Sequence, residues 1–259
     1  MNGSLQDLRA TFTRWRIWWL MARQDILMRY RRSLIGPFWI SLSMMALILG
    51  LAVLYGQIFR QPFKEYLYFL GCGFLVWGFI FTVTQESTQV VIEAEPHLRG
   101  VPLPIPILVA RMLARNVIIF LHNLLVIGGI IVLFGIPVAA TVWLAIPGMA
   151  VLVAIGFCAG LFLGPLCARF RDVSQLLGNV MQIVFFMTPI VWRPDQGGVR
   201  AIFFEINPFY HLIELVRAPL MDRYPSVLNW TVSLSVLAVM ALLAYGALGL
   251  ARRRVYYWL

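Results

Sequence analysis

The 259 residues are 61% hydrophobic and only 12% charged, and 21 Lys and Arg against 11 Asp and Glu give a formal charge of +10. A water-soluble chain carries about a quarter charged residues, so this composition cannot clothe an aqueous fold. A nucleic-acid-binding face is excluded as well, because its cations would gather on one soluble surface, and the apolar blocks of this chain leave none.

Residues 1–33 read as a cytoplasmic N-terminus ahead of a membrane domain over 34–259. Leu5, Leu8, Phe12, Trp15 and Trp19 recur at helical spacing, with Gln6, Arg9, Thr13 and Arg16 on the opposite face. That pattern predicts an amphipathic helix lying in the headgroup plane. It serves either as an anchor or as a platform past which a lipid-bearing substrate moves. Arg29-Tyr30-Arg31-Arg32 follows. Such a cluster can hold phosphate oxygens, and positive-inside topology requires it equally. With seven arginines before a first span that lacks a small-residue cleavage site, no cleavable signal peptide is expected.

A span needs about 20 apolar residues. Six blocks meet or approach that length: Ile35–Phe59, Tyr66–Val83, Ile107–Phe134, Val142–Cys167, Leu176–Trp192 and Leu228–Leu250. The third opens with Arg111, Arg115 and Asn116, which leaves Val117–Phe134 for the lipid, and the fifth is the shortest. No block alternates as a barrel strand does. The predicted class is an all-α membrane protein with six transmembrane helices. Placing both termini inside leaves fifteen Lys and Arg on the cytoplasmic side and six outside, which is the asymmetry that cytoplasmic loops should show.

Between the second and third spans runs a segment that does not cross. It is helix-compatible through Glu95, continues as Pro96-His97-Leu98-Arg99-Gly100, and then meets Pro102, Pro104 and Pro106. Alternate prolines enforce an extended turn. A short charged helix pinned by that turn suits docking of a soluble partner, or is a connector. The outer loop 193–227 holds two semi-apolar stretches, Val199–Ile206 and Phe209–Met221, too short to cross. They read as re-entrant or interfacial helices, forming a gate over an exit or a surface cap.

The excluded chemistry is as informative. Lys64 is the single lysine, so no phosphate-binding G-x-x-x-x-G-K-[ST] loop exists and any ATPase must be another chain. His97, His122 and His211 are far apart and make no metal motif. The middles of the spans hold no Asp or Glu, which argues against ion coupling. His122-Asn123 reads as an interhelical hydrogen-bond site. Cys72, Cys158 and Cys167 lie in apolar blocks and read as small core residues. Gly156, Gly160 and Gly164 make a small-residue face for close helix approach, within one subunit or across a dimer seam. Rings crowd the first, second and fifth spans. Belts and packing explain most of them, although a glycan crossing a membrane would also favour flat apolar faces.

Four strings in order, Arg29-Tyr30-Arg31-Arg32-Ser33-Leu34-Ile35-Gly36-Pro37-Phe38-Trp39, Phe170-Arg171-Asp172-Val173, Met187-Thr188-Pro189-Ile190 and Asn207-Pro208-Phe209-Tyr210-His211, resemble the permeases of polysaccharide and O-antigen ABC exporters. The resemblance covers roughly residues 10–258. It implies a homodimer of six-span subunits in the bacterial inner membrane, joined to two copies of a separate ATPase that holds ATP and magnesium. It implies no cofactor on this chain and no covalent chemistry. The substrate implied is a glycan on undecaprenyl diphosphate, moved from cytoplasm to periplasm.

By the same resemblance Leu5–Leu20 is an interface helix. Glu86, Glu93, Glu95, His97 and Arg99 couple to the ATPase, and Arg29, Tyr30, Arg31 and Arg32 meet the headgroup. Phe38, Trp39, Tyr55, Phe59, Phe74, Trp77, Phe185 and Phe186 line the channel. Phe203, Phe204, His211, Glu214 and Arg217 belong to periplasmic gate helices. The alternatives are an ABC exporter of another substrate (capsule, teichoic-type polymer, drug or lipid) and an integral-membrane enzyme acting on lipid-linked sugars.

Overall fold

The computed structural model describes residues 2–29, 31, 36, 38–94, 103–138, 140–193 and 204–258. Over these the chain is all-α: α1 (Asn2–Thr13), α2 (Trp15–Arg29), α3 (Phe38–Ile58), α4 (Phe63–Gln89), α5 (Ile105–Phe134), α6 (Ala145–Arg169, preceded by a 3-10 turn at Val142–Leu144), α7 (Asp172–Met187), α8 (Pro208–Leu220) and α9 (Val227–Trp258). Five stretches are long and apolar enough to cross a membrane: Phe38–Ile58, Phe63–Gln89, Ile105–Phe134, Val142–Arg169 and Val227–Leu250. The expected fifth span differs. Its helix has 16 residues, or about 24 Å against roughly 30 Å of hydrocarbon. It stops because Thr188, ahead of Pro189, is extended at φ −96° and ψ 135°, as the residue before a proline must be.

The other ends have equally local causes. Pro104 caps α5 and Pro106 sits in its first turn, where a missing N–H costs nothing. The same helix ends at Gly135 in the left-handed region, φ 58°, which a glycine adopts without steric cost. Asn207 caps α8 by accepting from the Phe209 N–H at 3.0 Å, with Pro208 next.

α4 is the axis of the bundle. In its spanning window 72% of the residues are buried, against 17% in α3 and α9, and α3, α5, α6, α7 and α8 all pack on it. α7 runs antiparallel beside it: Ser174 at its start meets Thr88 and Gln89, while Phe185 near its end meets Phe74 and Trp77. The glycines of α6 serve packing inside the subunit. A Cβ at Gly156 would stand 2.8 Å from Val83, at Gly160 2.6 Å from Val109, and at Gly164 2.8 Å from Val90. Valine side chains of α4, α5 and the residue after α4 therefore press directly onto the glycine backbone of α6.

The amphipathic N-terminal segment is broken in two at Arg14. α1 and α2 both lie against α5, with Ala22 fully buried and Trp18 donating its indole N–H to the Thr11 carbonyl at 3.0 Å. Phe12, Trp15 and Trp19 stay exposed. Gln6, Arg9, Thr13 and Arg16 of the polar side are exposed as well.

Candidate functional site

Among the described residues, two clusters of paired charged side chains stand out. At the N-terminal end of α5, Arg111 and Arg115 lie four residues apart and so share a helix face. Arg111 holds the Asp25 carboxylate of α2 in a bidentate grip, Nε to Oδ2 at 2.7 Å and Nη2 to Oδ1 at 2.6 Å. Arg115 reaches the same carboxylate at 3.3 Å and donates to Glu86 Oε2 of α4 at 2.8 Å. Asn116 donates to that Glu86 oxygen too, and to the Met112 carbonyl. One cluster thereby joins α2, α4 and α5. Beside it is a pocket of about 90 Å³ lined by Glu86, Glu93, Arg111 and Arg115 among apolar neighbours. Its arginine side chains retain about a fifth of their exposure, so water screens the pairs in part.

Of the residues expected to couple to an ATPase, Glu86 belongs to this cluster and exposed Glu93 lines its pocket. Glu95, His97 and Arg99 lie outside the described residues. In the expected headgroup cluster Arg29 and Arg31 are exposed, whereas Tyr30 and Arg32 lie outside the described residues.

The second cluster lies at the end of α4 that carries Tyr66 and Phe69. α8, placed by sequence in an outer loop, is inserted between α4, α6 and α9. Its 13 residues measure about 20 Å, too short to cross and long enough to enter. Gly148 of α6 makes the entry possible, because a Cβ there would stand 2.5 Å from the Leu215 carbonyl oxygen. His211, Glu214 and Arg217 follow at three-residue spacing and are all buried. Arg217 is fully enclosed. It donates Nε to Glu214 at 2.6 Å and Nη1 to the Pro189 carbonyl at 2.6 Å, and its guanidinium lies 4.8 Å from the centre of the Phe69 ring.

Pro189 belongs to the turn that ends α7, and two further side chains hold that turn. Tyr66 donates to the Val191 carbonyl at 2.6 Å and Asn207 donates to Thr188 Oγ1 at 2.8 Å. His211 is held by Asn229 and by the Glu205 carbonyl, both at 2.8 Å. Phe204, also expected at a gate, is buried against Trp192 and Tyr210. Phe203 lies outside the described residues.

The expected channel rings fall into three groups. Phe38, Trp39 and Phe186 are exposed, while Tyr55, Phe59, Phe74 and Phe185 are half-buried. Trp77 is buried in a ring cluster with Phe81, Phe185 and Phe209. Among the described residues no three His, Cys, Asp or Glu side chains gather to hold a metal.

The sequence model of the ABC-2 type transporter family matches residues 16–221, a stretch that runs from α2 through α8. The chain belongs to the ABC-2 type transporter family. Over 243 residues, 91% of this chain and 92% of its relative, it is also 20% identical to the O-antigen export system permease protein RfbA of Myxococcus xanthus. It is thus a multi-pass membrane permease, a transport subunit whose family works with an ATPase subunit.

For this ABC-2 permease, reading the sequence missed the joint made by Asp25. A signal was present. Asp25 is the sole carboxylate between Asp7 and Glu65, and Arg111 and Arg115 sit four apart at the foot of an apolar block. Partner choice across 86 residues is a tertiary fact that periodicity does not carry. Tyr66 and Asn207, whose polar atoms clasp the α7 turn, were missed for the same reason.

Proposed function

We propose that this chain is the membrane half of an ATP-driven exporter that moves a lipid-linked polysaccharide, an O-antigen-like glycan on undecaprenyl diphosphate, from cytoplasm to periplasm. The observation that carries this reading is the likeness to an O-antigen export permease along nearly the whole of both chains. Two subunits of this chain would assemble with two ATPase subunits, which bind ATP and magnesium. Counting α7 with its following turn as a crossing gives six spans and puts both termini in the cytoplasm. The antiparallel course of α7 along α4, from Thr88 to Phe74, supports that count.

In this reading the Asp25–Arg111–Arg115–Glu86 cluster stands at the inner face, next to the segment that docks on the ATPase, and α8 stands at the outer face. ATP binding shifts the docking segment, and Glu86 and Arg115 pass the shift to α5 and the N-terminal helix. The chain itself makes and breaks no covalent bond.

Purification of the tagged chain from its native membrane tests the reading. An ATPase subunit should co-purify in equal amount, and lipid-linked glycan, but not amphipathic drugs, should stimulate its hydrolysis. Stimulation by drugs alone replaces the substrate class. Absence of any ATPase, with turnover of lipid-linked sugar by the isolated chain, replaces the exporter with an enzyme.

A further inference from the structure

The side of α7 that faces away from the bundle is not uniform. Gln175, Asn179 and Gln182 are exposed and follow one another at four- and three-residue intervals, so they form a single stripe. Phe186, 72% exposed, extends it. Leu176, Val180, Ile183 and Met187 are also exposed and form a second, apolar stripe about a quarter turn away. Among the described residues none of the three amides has a hydrogen-bond partner.

The neighbouring side of α4 matches. Phe74, Gly78, Phe81 and Gln85 are half-exposed and share one side of a helix that is otherwise mostly buried. At Gly78 no atom stands where a side chain would begin. Gln85 closes the gap between the two helices: a Cβ on Gly178 of α7 would come within 3.1 Å of its Nε2. The result is a strip of four amides, with rings toward one end and an open floor at Gly78.

Hydrocarbon offers amides no partners, so a face with three in register is unfavourable against lipid. The apolar stripe beside it supplies the lipid- or protein-facing side, which leaves the amide stripe for water and polar ligand. Each amide presents two donors and an acceptor, the complement of a sugar hydroxyl. Charge is confined to the two ends of the strip: α7 carries none between Asp172 and Met187, and α4 none between Glu65 and Glu86. A polyanion crossing there would lose its hydration with no cation to receive it. A neutral hydrogen bond exchanged with water contributes little net free energy, so a chain held this way can slide.

We propose that the strip formed by Gln85, Gln175, Asn179 and Gln182 is the hydrogen-bonding surface for a neutral, hydroxyl-rich glycan, and that it selects uncharged chains over phosphate-bearing ones. This rests on the exporter reading for the presence of a glycan and adds its charge class and contact residues.

The test uses the full-length chain in lipid nanodiscs, with its three cysteines changed to alanine and single cysteines placed at Asn179, Gln182 or Ile183. A membrane-impermeant maleimide should label N179C and Q182C roughly tenfold faster than I183C, because water reaches one stripe and lipid the other. A neutral maltohexaose should slow labelling of N179C, and a glycerol phosphate oligomer of equal length should not. Equally slow labelling at all three positions means that lipid or a second copy covers the strip, and overturns the proposal. Equal protection by both oligomers, or by neither, overturns it as well. Sugar protection without glycan transport by the wild-type chain and its ATPase removes the exporter reading and leaves the strip standing. Transport without protection removes the strip alone.

Discussion

The two charged clusters are built from the same chemistry and differ in almost everything else. Glu214 and Arg217 are three residues apart on one short helix, and Arg217 is fully enclosed. Asp25, Glu86, Arg111 and Arg115 come from three helices, keep part of their exposure and border a pocket. A buried pair gains little net stability over apolar residues, but removing one partner is costly. The α8 pair, tied also to the Pro189 carbonyl and the Phe69 ring, therefore works as a fixed stake that holds α8 against the end of α7. The α2–α5 cluster lies in water's reach and can rearrange at low cost, which suits a joint between elements that move.

The largest effect should come from breaking the stake. E214A strands an enclosed guanidinium and should cost about 3–5 kcal/mol, read as a fall in thermal midpoint of the detergent-solubilised permease. The double change to E214L and R217M should recover much of it. If E214A unfolds like wild type, the pair is no stake.

Next comes the approach that lets α8 in. G148A places a Cβ 2.5 Å from the Leu215 carbonyl oxygen and should destabilise by about 1–3 kcal/mol, as overpacking does. Protease should then cut within residues 193–207 sooner than in wild type. Unchanged cleavage would mean that α8 sits loosely.

The joint should respond differently. D25N keeps the shape of the side chain and leaves arginines that are about a fifth exposed, so its stability cost should be about 1–2 kcal/mol, below that of E214A. Its effect should be on coupling instead: ATP hydrolysis persists while transport falls. The charge exchange D25R with R111D should restore transport. A large loss of stability in D25N, equal to that of E214A, would erase the distinction between the two clusters.

Smallest in stability should be the triple alanine change of Glu93, His97 and Arg99. Glu93 is exposed, so the thermal midpoint should stay put while hydrolysis and export separate. Normal export by the triple variant rules out this docking segment.

Much of this was legible in the residues. Class, the long apolar helices and a helix near 209–221 too short to cross follow from block length and from Pro208 and Pro219, whereas the partner of each polar side chain does not. Arg217 counts as an outer-loop cation by position, and the fold encloses it beneath Phe69 because Gly148 lets α8 sink. The three glycines of α6 left packing and a dimer seam open, and contacts with Val83, Val109 and Val90 assign them to packing. Trp77 looked like a channel ring among many and is buried in a ring cluster. Gln175, Asn179 and Gln182 are, by sequence, scattered polar residues in an apolar block, and only their shared exposure makes them a stripe.

The most direct measurement is transport itself. The permease and its ATPase are reconstituted in proteoliposomes with lipid-linked glycan on the ATPase side, and glycan arriving in the lumen is followed by its protection from a glycosidase added outside. ATP-driven export through this chain predicts protection that grows with ATP, stops with a non-hydrolysable analogue and is lost in D25N. Protection that ignores ATP, or none at all with hydrolysis stimulated, would contradict it.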